Sequence, residues 1–283
     1  MKNFLVLTII LMLGAYGRVV AQDAAAASKR ANQQYVLFES ERDKGTNVTG
    51  MYSYLLDSYE NFMKVVEAPD NGQYLSGAKN RLRAMYPYLL NGAVYYSEQK
   101  QPSKALDFAA AYIEMPRLKI FQSELLPKDN RYASVVYYAA VSAYNLQKYS
   151  QALKYFQEYL STGTDTQQKD CYVYMNMIYQ SQKNYSEQER VLEEAIAKYP
   201  VSLDFLYNLV NVYIATNDME KLLGAIDRIL AVDPNNDKVL PIKARILERQ
   251  GKNIEALDIY KRLYALYPNN FELMTGVARA NFN

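Results

Sequence analysis

Tyr199-Pro200, Asp233-Pro234-Asn235-Asn236 and Tyr267-Pro268-Asn269-Asn270 place three prolines at successive intervals of 34 residues. Counting back from each proline, Ala195, Ile229 and Leu263 share one column, Leu192, Ile226 and Tyr260 a second, and Tyr179, Tyr213 and Leu247 a third. Every place in the three columns is apolar. Within one copy the columns fall at helical spacing on two segments. Polar turns separate the segments: Ser181-Gln182-Lys183-Asn184, Thr216-Asn217-Asp218 and Gln250-Gly251-Lys252-Asn253. The repeating unit is therefore helix, turn, helix. Proline has no N–H and disfavours helix in the residue before it, so each proline ends a second helix and releases the chain into the next unit.

This period and pattern resemble the tetratricopeptide repeat (TPR), identified by a large apolar residue early in the first helix, a small one four later, then Tyr. A small residue opening the second helix, an aromatic and a closing Pro complete the signature. Residues 237–270 match best, with Leu240, Ala244, Gly251, Ala256, Tyr260, Leu263 and Pro268 in place, and departures at Lys243 and Leu247. Residues 203–236 keep Leu206, Leu209, Tyr213, Ile226 and Pro234, but Leu222 replaces the small residue. Residues 169–202 keep Tyr172, Met175, Tyr179, Ala195 and Pro200, with Gln188 where Ala is usual. A further copy near 133–166 has Val136, Ala140, Tyr149, Ala152 and Phe156, and a degenerate one near 86–119 has Leu89, Ala93, Tyr96 and Ala105. The resemblance implies an all-α, right-handed α-solenoid. Four units span 133–270, a degenerate unit with an insertion spans 86–132, and a helical cap or degenerate repeats span 22–85. Residues 271–283 read as a capping helix or the first helix of a sixth unit, its apolar residues being Phe271, Met274, Val277 and Ala278. Ala105, Ala152 and Ala256 sit where paired helices cross closely, so Ala256→Leu is expected to be harmful.

Composition agrees. Half of the 283 residues are apolar, and 11 Gly with 9 Pro leave room for long uninterrupted helices. Upstream, 24–42, 49–66 and 73–99 read as helices, with Leu55, Tyr59, Phe62 and Val66 at helical spacing. The insertion Arg117 to Arg131 carries Ile120, Phe121, Leu125 and Leu126, expected to tuck onto neighbouring helices. Twenty-eight Tyr against 9 Phe and no Trp suits a thin array, because a Tyr ring fills space between helices while its hydroxyl reaches the wet edge.

Lys2, the apolar run Phe4 to Ala15 and Val19-Val20-Ala21 read as a cleaved export signal over residues 1–21. The run is short of the roughly 20 residues a spanning helix needs, although an uncleaved anchor edged by Tyr16 and Arg18 is an alternative. No Cys follows it, so a lipoprotein is not expected. The expected location is extracytoplasmic, in the periplasm or cell envelope. Without Lys2 and Arg18, 30 basic residues stand against 30 acidic ones, and no basic face invites nucleic acid.

The absence of His excludes Ser-His-Asp and Cys-His catalysis and His-ligated zinc, and the single Cys171 builds neither a disulfide nor a thiolate cage. Neither a metal nor a cofactor is expected. Gly72 to Asn80 approaches a phosphate-binding loop, but Lys79 falls one place late and no strand precedes it; it reads as a turn opening a helix. The Ser-x-x-Lys pairs Ser76/Lys79 and Ser97/Lys100 lack the accompanying motifs of that chemistry. A non-catalytic protein follows.

The family's first helices line its concave face, which implies Tyr137, Tyr138, Val141 and Tyr144 as partner-facing, then Asp170, Val173 and Met177, then Tyr207, Asn208 and Asn211, and finally Lys238, Arg245 and Arg249. This surface is aromatic toward its amino-terminal end and basic toward the other. The family's carboxylate clamp is not built, because only Asn208 and Lys238 match while Val173, Met177 and Ile242 fill the other places. The expected role is a scaffold or adaptor holding a protein or peptide partner in an envelope-associated assembly. Two alternatives stand beside it: a sensory or substrate-docking part of a longer enzyme or signalling protein continuing past Asn283, and a glycan-binding helical protein suggested by the tyrosines.

Overall fold

A computed structural model describes residues 24–69, 71–124, 126, 130–163 and 166–282; the expected leader and Leu125 lie outside them. The described residues form helices and turns without a strand. They divide into two compact units, residues 1–165 and 166–283. The first unit holds α1 (24–44), α2 (Val48–Glu67), α3 (Gly72–Glu98), α4 (Pro102–Glu114), α5 (Tyr132–Asn145) and α6 (Tyr149–Ser161). The second holds α7 (Gln168–Ser181), α8 (Tyr185–Lys198), α9 (Leu203–Thr216), α10 (Met219–Val232), α11 (Leu240–Arg249), α12 (Asn253–Leu266) and α13 (Phe271–Phe282). Within each unit the packing runs between successive helices, as in an α-solenoid.

One backbone device recurs at five helix–helix turns. Lys100 (φ 54°), Gln147 (58°), Lys183 (53°), Asn217 (55°) and Gly251 (73°) each adopt the left-handed conformation two residues before the next helix. The residue after each sends its N–H to a carbonyl five residues back: Gln101 to Tyr96, Lys148 to Ala143, Asn184 to Tyr179, Asp218 to Tyr213 and Lys252 to Leu247, all at 2.9–3.0 Å. These bonds satisfy carbonyls left open at the end of the first helix and aim the second helix back along it. The pairs are therefore α3/α4, α5/α6, α7/α8, α9/α10 and α11/α12, which includes the two copies whose sequence signature is weakest. The second helices α8, α10 and α12 begin at 185, 219 and 253, keeping the 34-residue interval.

In the second unit the columns of the repeat become one packing rule. Leu240, Ala244 and Leu247 of α11 share a buried cluster with Ala256, Ile259, Tyr260 and Leu263 of α12, and Leu273 and Ala280 of α13 complete it. The equivalents of Leu273 (Cys171, Phe205, Val239) and of Ala280 (Ile178, Val212, Ile246) are buried in the three earlier copies of this unit. First helices thus present one row of side chains to the preceding pair and another to their own second helix. In α13, Phe271 is 72% exposed, Met274 45% exposed and Ala278 exposed, while Leu273, Gly276 and Ala280 are buried. Met274 and Ala278 belong to the row that faces a second helix, and none follows α13 among the described residues. The start of α11 falls at Leu240 because buried Asn236 accepts the backbone N–H groups of Lys238 and Val239, each at 3.3 Å, and Pro241 follows in the first turn.

In the first unit α3 runs unbroken across residues 85 and 86 and contains Pro87. Gly72 to Asn80 lies within α3 rather than in a turn before it, and Lys79 pairs with Glu124 at 2.6 Å. Two 3₁₀ turns, Met115–Arg117 and Lys119–Phe121, begin the insertion; Phe121 is buried, Ile120 and Leu126 half-buried, and Glu124 also binds Arg83. A Cβ on Gly92 would come within 2.5 Å of the Phe108 ring, so α3 and α4 cross at a distance only glycine allows. Aromatic rings fill this region: Tyr86 stacks on Tyr112 at 4.5 Å between centroids, and Tyr96 on Phe108 at 5.5 Å.

Candidate partner-binding surface

The helix pairs dispose their exposed apolar side chains unequally. Among the described residues, every exposed large apolar side chain more than two residues from a helix end lies on an odd-numbered helix: Val36, Leu37, Tyr138, Val173, Met177 and Met274. On even-numbered helices the exposed ones, Val48, Val232, Ile254 and Leu266, sit at the first two residues or at the last. Leaving such groups in water forgoes roughly 25 cal/mol per Å² of burial, and first helices do so in mid-course in both units.

In the first unit, Tyr137, Tyr138, Val141 and Tyr144 lie on α5. Tyr137 is half-buried with its ring 5.5 Å from that of Tyr159, and Tyr144 packs 6.0 Å from Tyr149. Tyr138 is 56% exposed and stands at the edge of a hollow of about 410 Å³ between α3, α4 and α5. Four alanines, Ala93, Ala105, Ala109 and Ala139, line it together with Val94 and Val135. Its polar lining residues are Ser97, Ser142, Tyr138 and Glu98. The hollow exists because the crossing positions of three helices carry small side chains. Of its lining, the sequence reading singled out Tyr138 as partner-facing; Glu98, Ser97, Ala109 and Ser142 come from helices distant along the chain, and no local motif marks them.

In the second unit the sequence-derived positions fall on α7, α9 and α11 or just before them, and several make contacts within the fold. Asn236 donates to the Tyr207 hydroxyl at 2.6 Å, and the Lys238 ammonium lies 5.1 Å from the Tyr207 ring centre. Asn208 donates back to the Asp204 carbonyl at 2.8 Å. Arg245 forms an ion pair with Glu272 of α13, so the basic character expected at this end is partly neutralised. Val173 and Met177 are exposed, as are Asp170, Asn211 and Arg249. A smaller hollow of about 250 Å³ lies beside Arg245, walled by Tyr260, Tyr267, Glu272 and Arg279; Arg279 is held by Glu248 at 2.9 Å.

Cys171 is buried, and burial with the neighbouring Asp170 charge pushes its thiol up to about 12. It is a packing residue and carries no thiolate at neutral pH. Among the described residues no group of three or more His, Cys, Asp or Glu side chains stands where it could hold a metal ion, and no helix is long and apolar enough to cross a membrane.

The architecture is a series of paired helices, the arrangement that the resemblance to the tetratricopeptide repeat implies. No family model matches the chain. It is 29% identical over 83 residues to the uncharacterised protein y4yS of Sinorhizobium fredii, a match covering 29% of this chain and 46% of that one. The chain thus spans about half the length of this curated relative. Solved structures similar to it include MamA of Desulfovibrio magneticus RS-1 (17% identity, 66% of this chain and 97% of that one, TM-score 0.40). A TPR protein of Parabacteroides merdae is also similar (14% identity, 89% and 99%, TM-score 0.32).

Proposed function

We propose that the protein is a non-catalytic scaffold that takes an extended segment of a partner protein against the first helices of its pairs. The observation that carries this reading is the unequal exposure: apolar side chains are left in water in the middle of first helices and not of second helices. Val173 and Met177 are one helical turn apart on α7 and so expose adjoining apolar surface, which suits a recognition face. The basic and neutral polar groups Arg249 and Asn211 stand on α11 and α9, where hydrogen bonds to a bound main chain add register to apolar contact. Lys2 and the apolar run Phe4 to Ala15, read as an export signal, support a role outside the cytoplasm, and we extend the reading to an envelope-associated assembly.

The test is capture from envelope extract by chemical crosslinking, with the parent chain beside a Met177→Asp, Arg249→Glu double variant. Both residues are exposed, so circular dichroism should show an unchanged fold. One protein captured by the parent and lost by the variant supports the proposal. Identical capture by both removes the first helices of the second unit from the binding surface.

A further inference from the structure

We infer that the hollow between α3, α4 and α5 is a pocket for one basic side chain, arginine before lysine, of the partner segment. The inference rests on the scaffold reading and names what one of its subsites recognises. Size comes first. At about 410 Å³ the hollow lies near the lower end of small-ligand pockets, which suits one long side chain with a little main chain rather than a cofactor.

Its chemistry is asymmetric. Four alanines and two valines of the lining offer apolar contact without hydrogen-bonding demand. Glu98 is the one charged side chain in the lining. Its carboxylate is exposed and makes no ion pair or hydrogen bond among the described residues. No lysine or arginine stands in the lining to neutralise it. A free carboxylate beside an apolar lining calls for a ligand with an aliphatic stem and a cationic head, which describes lysine and arginine and no other common side chain. Tyr138 decides between them. Its exposed ring belongs to the same lining, and a guanidinium stacks on a tyrosine face while giving a carboxylate two parallel hydrogen bonds, which an ammonium does not. Ser97 and Ser142 supply the remaining acceptors for the outer N–H groups.

The test is selection of a random heptapeptide phage library on the full chain, repeated on Glu98→Gln, Glu98→Lys and Tyr138→Ala variants. The substituted positions are exposed, and circular dichroism on each variant controls for folding. The expected result is enrichment of peptides with Arg at one fixed position. Glu98→Gln should weaken the selected peptide roughly tenfold or more, and Glu98→Lys should change the enriched residue to Asp or Glu. Enrichment of peptides lacking a basic residue, or a preference unchanged by Glu98→Lys, would overturn the inference while leaving the scaffold reading intact, because peptides still bind. Failure of the parent chain to enrich any peptide would overturn both.

Discussion

Gln188 Nε2 donates to Asn176 Oδ1 at 2.9 Å, with both side chains buried, and this bond joins α7 to α8 at the place where the repeat usually sets two small residues. In the last pair the equivalent residues are Ala244 and Ala256, both fully buried. One pair of helices therefore closes on alanine contact and the other on a satisfied amide pair.

That difference predicts a strong coupling. Gln188→Ala or Asn176→Ala alone leaves one buried amide unpaired and should cost about 2–3 kcal/mol. The double substitution removes both polar groups and should cost less than the sum of the two, with a coupling of about 1–2 kcal/mol. Urea unfolding of the four proteins measures the cycle, and additivity would mean that the bond contributes nothing.

The left-handed turn residues make a second prediction with opposite signs at equivalent places. Gln147 and Lys183 hold a conformation that disfavours a Cβ, so Gln147→Gly and Lys183→Gly should leave stability unchanged or raise it by up to about 1 kcal/mol. Gly251→Ala at the matching turn should lower it by about 1 kcal/mol. Thermal unfolding midpoints compare all three directly.

Close helix crossings are intolerant of added atoms. Gly92→Ala drives a methyl group into the Phe108 ring, and Ala256→Leu overfills the cluster around Tyr260; each should cost about 1–3 kcal/mol. Adding Phe108→Leu to Gly92→Ala opens space beside the new methyl and should recover part of that loss, whereas it should be purely destabilising on its own.

Titration of buried groups gives the pH behaviour. The Cys171 thiol is raised by burial to about 12 from an ordinary value of 9.0, and burial raises Tyr59 to about 12 from 10.0, with the nearby charges of Glu114 and Glu67 adding to it. Burial likewise raises Tyr86, Tyr132 and Tyr213. A raised folded-state value favours the neutral form in the fold, so this stability is complete below pH 9 and is lost as pH climbs through 9 to 12. Unfolding midpoints should fall over that window. A thiol reagent at pH 8 should label Cys171 only after denaturant is added; rapid labelling of the folded chain would contradict its burial.

What could be read along the chain and what could not divides by locality. Pro200, Pro234 and Pro268 with the column Ala195, Ile229 and Leu263 disclose the helix pairs of the second unit, because the signals recur at a fixed interval. The turns at Lys100 and Gln147 hide the same motif behind residues that favour no turn, since the conformation there is imposed by the hydrogen bonds to Tyr96 and Ala143. The apolar residues of α13 do not by themselves tell which are covered: Leu273 and Ala280 are buried and Phe271 and Met274 exposed. Tyr207 and Arg245 read as free surface, yet their partners Asn236 and Glu272 lie about 30 residues away and join them only through the repeat. The hollow was the least legible feature, because Ala93, Ala109 and Ala139 come from three helices and are unremarkable in each.

The central claim is that first helices, and not second helices, meet the partner. Photo-crosslinking residues placed one at a time at Tyr138, Met177 and Asn211 on α5, α7 and α9, and at Gln157, Ala197 and Ala231 on α6, α8 and α10, test it directly in envelope extract, since all six side chains are solvent-accessible. The account predicts one common crosslinked partner from the first set and none from the second. Crosslinks to that partner from Gln157, Ala197 or Ala231, with Tyr138, Met177 and Asn211 silent, would contradict it.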